Sequence, residues 1–151
     1  MDELAYLSWV EAACRIRKKE LSPVDYCQSL LARIEAHNPA LDAFLELTAD
    51  QAMSDDREAE DAVVNAKSLG PIHGVPFALK DIIDANGLHT TAHSKILADN
   101  IATGAACVTQ RIRDAGAILF GKLSTHEFAF GGPCFDLPWP PARNPWDRRM
   151  F

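Results

Sequence analysis

Hydrophobic positions in the first part of the chain recur at the spacing of α-helices. The first apolar stripe consists of Leu4, Leu7, Val10 and Cys14. It predicts a helix over residues 4–19. A second stripe follows Ser22, whose side chain is placed to cap a helix over residues 22–37. The dipeptide Asn38-Pro39 is predicted to end that helix.

A short strand and a third helix follow. Residues 42–47 (DAFLEL) alternate between apolar and polar positions, which is typical of a strand. Thr48 and Gln51 have the spacing of a capping box, and they open a predicted helix over residues 48–66. This helix carries many acidic residues, which indicates a solvated outer face.

Beyond Gly70 the pattern changes to two apolar runs separated by a long connection. The runs VPFALK and AILFGK predict strands near residues 75–79 and 117–120. A loop over 84–94 and a helix over 103–116 lie between them. A strand, a crossover and a second strand predict a parallel pair in one mixed sheet, and thus the α/β class. After a short predicted helix at 124–130, the many Gly and Pro residues indicate an irregular tail.

Composition narrows the class of protein. A length of 151 residues suits one domain. The net charge of −6 argues against nucleic acid or an anionic membrane as the main partner, because both attract clustered Lys and Arg. The acidic start lacks a signal-peptide pattern, and no apolar run reaches the length of a membrane span. The four dispersed cysteines indicate reduced thiols in a cytoplasmic protein.

Lys80 is the first residue with candidate chemistry. It directly follows the apolar strand in GVPFALKDIID, which places an ammonium group at the end of a strand that enters the core. Burial lowers the pKa of a lysine, and that is how a lysine becomes a general base near neutral pH. The alternative is a side chain that reaches the surface or pairs with Asp81 or Asp84.

The histidines do not form a metal-binding pattern. His89 and His93 are four residues apart, but the threonines between them favour extended chain over helix. His126-Glu127 begins like H-E-x-x-H, yet residue 130 is Phe. We therefore expect hydrogen-bonding loop or core histidines, and neither a metal nor a cofactor.

The loop FAFGGP combines aromatic residues with Gly131-Gly132. Two glycines let a backbone approach a ligand closely. The alternative is an ordinary turn after a buried helix end.

Several segments together resemble one family. The segments, in order, are GPIHGVPFALKDIID, TTAHSKIL, IRDAGAILFGKLSTHEFAFGG and RNPWD. The sequence resembles the amino-terminal portion of the amidase signature family, which includes bacterial amidases and the A subunit of the tRNA-dependent glutamine amidotransferase. The resemblance extends from about residue 21 to residue 147 and is most specific between residues 70 and 132.

The resemblance implies amide hydrolysis by a Ser–cis-Ser–Lys triad, with Lys80 as its lysine. In such a triad the lysine takes a proton through a bridging serine, which activates the nucleophilic serine. The resemblance also implies that Phe130, Gly131 and Gly132 contact the substrate. The implied partner is a small-molecule amide, without nucleic acid, membrane or cofactor.

The sequence departs from the family at its end. The family's glycine- and serine-rich segment, which carries both serines, is not found, and Arg148-Arg149-Met150-Phe151 follows RNPWD instead. We therefore expect a partial amidase domain over 1–151, with a helical region at 1–69, the start of the signature core at 70–147 and an unmatched tail at 148–151. We expect this chain alone to be inactive.

The alternative is a non-catalytic binding domain derived from an amidase scaffold, and the tail favours the truncated amidase because it caps no element. Strands left without neighbours in a truncated sheet predict association, either as a homo-oligomer or through those strands.

Overall fold

The computed structural model of the protein describes residues 2–151. The α-helices are α1 (Trp9–Arg17), α2 (Pro23–Leu41), α3 (Ala49–Val64) and α4 (Cys107–Asp114). The strands are β1 (Phe44–Leu47), β2 (Pro76–Lys80) and β3 (Ile118–Leu123). Short 3-10 turns cover Asp2–Tyr6, Lys95–Leu97 and Glu127–Ala129. The predicted α/β class is confirmed.

The three strands form one mixed sheet in the order β1-β3-β2. β1 runs antiparallel to β3, with Glu46 opposite Lys122. β2 and β3 are parallel, because their hydrogen bonds advance together: Ile118 N–H donates to Val75 O, and Asp81 N–H donates to Leu123 O. β3 is the central strand and has a neighbour on each side. The prediction of a strand left without a neighbour therefore applies to β2 and not to β3.

The chain forms two compact units. The first contains residues up to 35, 48–77 and 110–120, and the second contains 36–47, 78–109 and 121–151. The core of the first unit consists of Ala12, Ala13, Ile16, Tyr26, Val63 and Val75. The second unit buries several polar residues, among them Asp81 and Lys122.

Three helix predictions needed correction in the first half of the chain. The stripe over 4–19 does not form one helix, because Ser8 caps α1 by accepting a hydrogen bond from Glu11 N–H. α2 continues through Pro39, since proline removes only its own N–H donor and the helical bonding resumes from Asp42 N–H to Asn38 O.

The capping box at α3 was also wrong. The Thr48 hydroxyl donates to Leu119 O at 3.0 Å, and its side chain makes no cap hydrogen bond to α3. The Thr48 hydroxyl therefore bonds to the sheet and not to the helix that the local pattern predicted it to cap.

The later elements are shorter than predicted. α4 replaces a helix predicted over 103–116. The predicted helix at 124–130 is a 3-10 turn over Glu127–Ala129, in which Phe128 has a φ of 48°. Within the described part of the chain, no helix is both long enough and apolar enough to cross a membrane.

Candidate functional site

Lys80 is the last residue of β2, at the carboxyl end where the sequence places it. Its carbonyl oxygen accepts hydrogen bonds from Ile82 N–H at 2.8 Å and Ile83 N–H at 2.9 Å, which turn the chain sharply after the strand. The Lys80 side chain is exposed, whereas Leu79 and Asp81 on either side of it are buried. Of the alternatives left open for Lys80, the structure therefore shows the side chain that reaches the surface, because successive strand residues face opposite sides.

The lysine that is fully buried in this unit is Lys122, on β3. Its Nζ lies 3.1 Å from Asp81 Oδ1, and both side chains are 1% exposed. The same Nζ donates to His89 O at 2.7 Å and to Thr90 Oγ1 at 2.9 Å. The ammonium group thus makes two hydrogen bonds, to His89 O and Thr90 Oγ1, and an ion-pair contact with Asp81 Oδ1. Asp81 therefore pairs with Lys122 rather than with Lys80.

The second carboxylate oxygen of Asp81 holds the loop of residues 90–94. Asp81 Oδ2 accepts hydrogen bonds from Thr91 N–H at 3.1 Å, from His93 N–H at 3.3 Å and from the Thr91 hydroxyl. The Asp81 carbonyl oxygen accepts from Ala92 N–H at 2.9 Å. Ala92 and His93 have φ values of 49° and 56°, in the left-handed region that non-glycine residues seldom adopt. Asp81 thus stabilises a loop whose backbone is costly to form.

His93 joins this loop to two other segments of the same unit. Its buried ring places Nε2 3.0 Å from Trp139 O and Nδ1 3.4 Å from Thr125 N. A neutral ring that donates from Nε2 and accepts at Nδ1 satisfies both contacts. Among residues 2–151, no group of three or more His, Cys, Asp or Glu side chains is arranged to hold a metal ion.

The segment predicted to contact substrate follows the last 3-10 turn. Phe130, Gly131 and Gly132 are all exposed, with Phe130 at 86%. Gly131 has a φ of 81°, and a Cβ built on either glycine would meet no atom within 4 Å. Each of the two glycines thus has open space around its backbone, and their contact with substrate stays a prediction.

A cavity of about 290 Å³ lies against the buried ion pair. It is lined by Leu45, Glu46, Asp81, His89, Thr91, Ala98, Lys122 and Trp139. The His89 ring and the Glu46 carboxylate at its edge are 3.2 Å apart. Lys80 is not part of the lining, so this cavity is separate from the predicted catalytic lysine.

Sequence reasoning missed the Asp81–Lys122 pair. The available signal was that Lys122, like Lys80, ends an apolar run, in AILFGK. Two lysines in the same local setting cannot be ranked by burial until the strands are paired.

The chain is similar to known amide-cleaving and amide-transferring enzymes. A model of the family described as Amidase matches residues 25–151. The A subunit of glutamyl-tRNA(Gln) amidotransferase from Moorella thermoacetica is 39% identical over 145 residues, which cover 96% of this chain and 30% of that protein. Acylamidase of Rhodococcus erythropolis is 37% identical over 143 residues, which cover 95% of this chain and 30% of that protein.

The structure is similar as well. The X-ray structure of native peptide amidase from Stenotrophomonas maltophilia matches with a TM-score of 0.83 and 29% identity. The match covers 95% of this chain and 31% of that chain. The chain thus spans about 30% of the length of the curated relatives it matches.

Proposed function

Because the chain belongs to the amidase family, we propose that the protein acts in the hydrolysis of a carboxylic acid amide to an acid and an amine or ammonia. The observation that carries this proposal is the family match over residues 25–151, which includes Lys80 at the carboxyl end of β2. The chain spans about 30% of its relatives, so the proposed reaction also uses residues outside this sequence.

Lys80 is the proposed base. Its backbone is held by the sheet on one side and by the two hydrogen bonds of the following turn on the other. This support fixes the root of a flexible side chain whose ammonium group is exposed. In the proposed Ser–cis-Ser–Lys triad, the neutral lysine takes a proton from the bridging serine, which in turn deprotonates the nucleophile. Neither serine is proposed to lie in this chain.

Phe130, Gly131 and Gly132 are the proposed substrate contacts. The exposed Phe130 ring and the unobstructed glycine backbone would give an amide an apolar surface and room for close approach. The open edge of β2 is the proposed site of association with further polypeptide, since an uncovered strand edge offers unpaired N–H and C=O groups.

A chimera tests the function. This chain replaces the matching 30% of the Rhodococcus erythropolis acylamidase, and the product is assayed on a panel of aliphatic and aromatic amides. We expect turnover by the chimera and none by the 151-residue chain alone, because the chain supplies a base without a nucleophile.

Two substitutions make the assay specific. Lys80→Ala in the chimera is expected to lower kcat by about 10²-fold or more, the usual contribution of a general base. Lys95→Ala removes another exposed lysine of the same unit and should leave turnover unchanged. A folded chimera that retains full turnover with Lys80→Ala would refute the role of Lys80. Turnover by the chain alone would refute its proposed inactivity.

A further inference from the structure

Two lysines and one aspartate lie at the ends of neighbouring parallel strands. Lys80 ends β2, Asp81 follows it directly, and Lys122 lies near the end of β3. The Asp81 carboxylate is buried against the Lys122 ammonium at 3.1 Å, whereas Lys80 projects to the exposed side. The residue that follows the proposed base, Lys80, therefore carries a negative charge held in a fixed position.

That negative charge conflicts with the role of a base. A lysine accepts a proton only when it is neutral, and a nearby carboxylate favours its protonated form. The negative charge of Asp81 cannot easily be lost, because its carboxylate accepts three hydrogen bonds from the loop of residues 90–94. Such bonds are strongest when the acceptor is ionised. The site needs an ionised Asp81 that does not hold a proton on Lys80.

We propose that Lys122 is a positioning residue that neutralises the Asp81 carboxylate, so that this carboxylate can order the 90–94 loop without holding the neighbouring Lys80 in its protonated form. The inference rests on the proposed function only in assigning Lys80 as the base. The charge compensation itself rests on the buried ion pair.

Other charged groups around the pair do not replace Lys122. Glu46 stands opposite Lys122 in the β1–β3 register, but its carboxylate accepts from His89 N–H at 3.2 Å and lies 3.2 Å from the His89 ring. His93 faces Asp81 with its backbone N–H, and its ring contacts Trp139 O and Thr125 N. Lys122 is therefore the cation in direct contact with Asp81.

The test follows the titration of Lys80 by NMR in the 151-residue chain labelled with ¹³C and ¹⁵N lysine. Lys122→Gln removes the compensating charge and keeps an amide donor at the same place. We expect it to raise the Lys80 titration midpoint by about half a pH unit or more, because the Asp81 charge then acts on Lys80 without the opposing charge of Lys122.

The double variant Asp81→Asn with Lys122→Gln removes both charges and leaves no buried ion unpaired. We expect its Lys80 midpoint to return to within about 0.2 pH units of the unmodified chain. We also expect the Thr91 and His93 amide protons to exchange roughly tenfold faster, because a charge-assisted acceptor is lost. Lys95→Gln, the exposed control, should leave the midpoint unchanged. If Lys122→Gln alone does not fold, the double variant still tests the inference. A Lys80 midpoint that differs from that of the unmodified chain by more than half a pH unit would overturn it.

The chimera separates this inference from the proposed function. We expect Lys122→Gln to move the kcat/KM profile of the chimera to higher pH. The variant should lose activity near neutral pH and recover it at the higher pH where Lys80 is deprotonated. A chimera that needs Lys80 but keeps its pH profile with Lys122→Gln would overturn the inference and leave the function standing. A shifted Lys80 midpoint in a chimera that does not need Lys80 would overturn the function and leave the charge compensation standing.

Discussion

Asp56 is expected to destabilise the folded chain at neutral pH. It lies on α3, is 0% exposed, and neither carboxylate oxygen has a hydrogen-bond partner within the described residues. Burial raises the pKa of its carboxyl. The charge and the backbone N–H of Arg57 oppose this effect, and the charges of Glu60 and Asp55 add to it. Few single substitutions in this chain should therefore raise stability as much as removing the Asp56 carboxylate.

The magnitude follows from three contributions to Asp56→Ala. A buried polar group without a partner costs about 1–3 kcal/mol. Alanine also favours a helix interior over aspartate by roughly 0.5 kcal/mol. Some packing is lost when the side chain is shortened, at about 1 kcal/mol for a few buried atoms. The net expectation is a gain of about 1–2 kcal/mol at pH 7, which corresponds to roughly 3–6 °C in Tm for a chain of this size.

The pH dependence gives the sharper test. Because the folded-state pKa of Asp56 lies above its unfolded value, ionisation of its carboxyl costs no stability below the ordinary Asp range, and stability is lost as the pH rises from that range through the folded-state value. The advantage of Asp56→Ala should therefore be smallest near pH 3 and reach its full size by pH 7. Urea unfolding at a series of pH values measures it, with the exposed Asp61→Ala on the same helix as the matched control. An advantage that is equal at all pH values, or matched by Asp61→Ala, would refute the reasoning.

Two further predictions concern the sheet and the cysteines. Gly121→Ala should destabilise the chain by at least about 1–3 kcal/mol in urea unfolding, because Gly121 has a φ of 145° and a Cβ there would overlap Glu46 O. Gly104→Ala, with no atom within 4 Å of the added Cβ, should be near neutral, and equal effects would contradict the steric explanation. Burial, and then the charges of Asp56 and Asp55, raise the pKa of the Cys27 thiol to about 12, so a thiol reagent at pH 8 should label the exposed Cys14 and spare Cys27. Labelling of Cys27 in the folded chain at the rate of Cys14 would disprove the burial.

The sequence by itself determined the features that depend on near neighbours along the chain. The alternation in residues 42–47 and the apolar runs before Lys80 and Lys122 predicted the three strands, because side-chain spacing decides which face can be buried. The quoted motifs were specific enough to predict the family, which the match over residues 25–151 confirms. The position of Lys80 at the carboxyl end of a strand also came from the local pattern alone.

The tertiary structure decided which groups meet. The local pattern predicted a partner for Thr48 at the start of α3, but its hydroxyl bonds to Leu119 O, 71 residues away. Lys80 and Lys122 end similar apolar runs, yet only Lys122 is buried, because only the pairing of β2 with β3 brings it to the Asp81 carboxylate. A buried charge is stable only beside its counter-ion, and that counter-ion lies 41 positions away in the chain for Lys122. Spacing along the sequence therefore carries no information about this pair, and the fold alone assigns it.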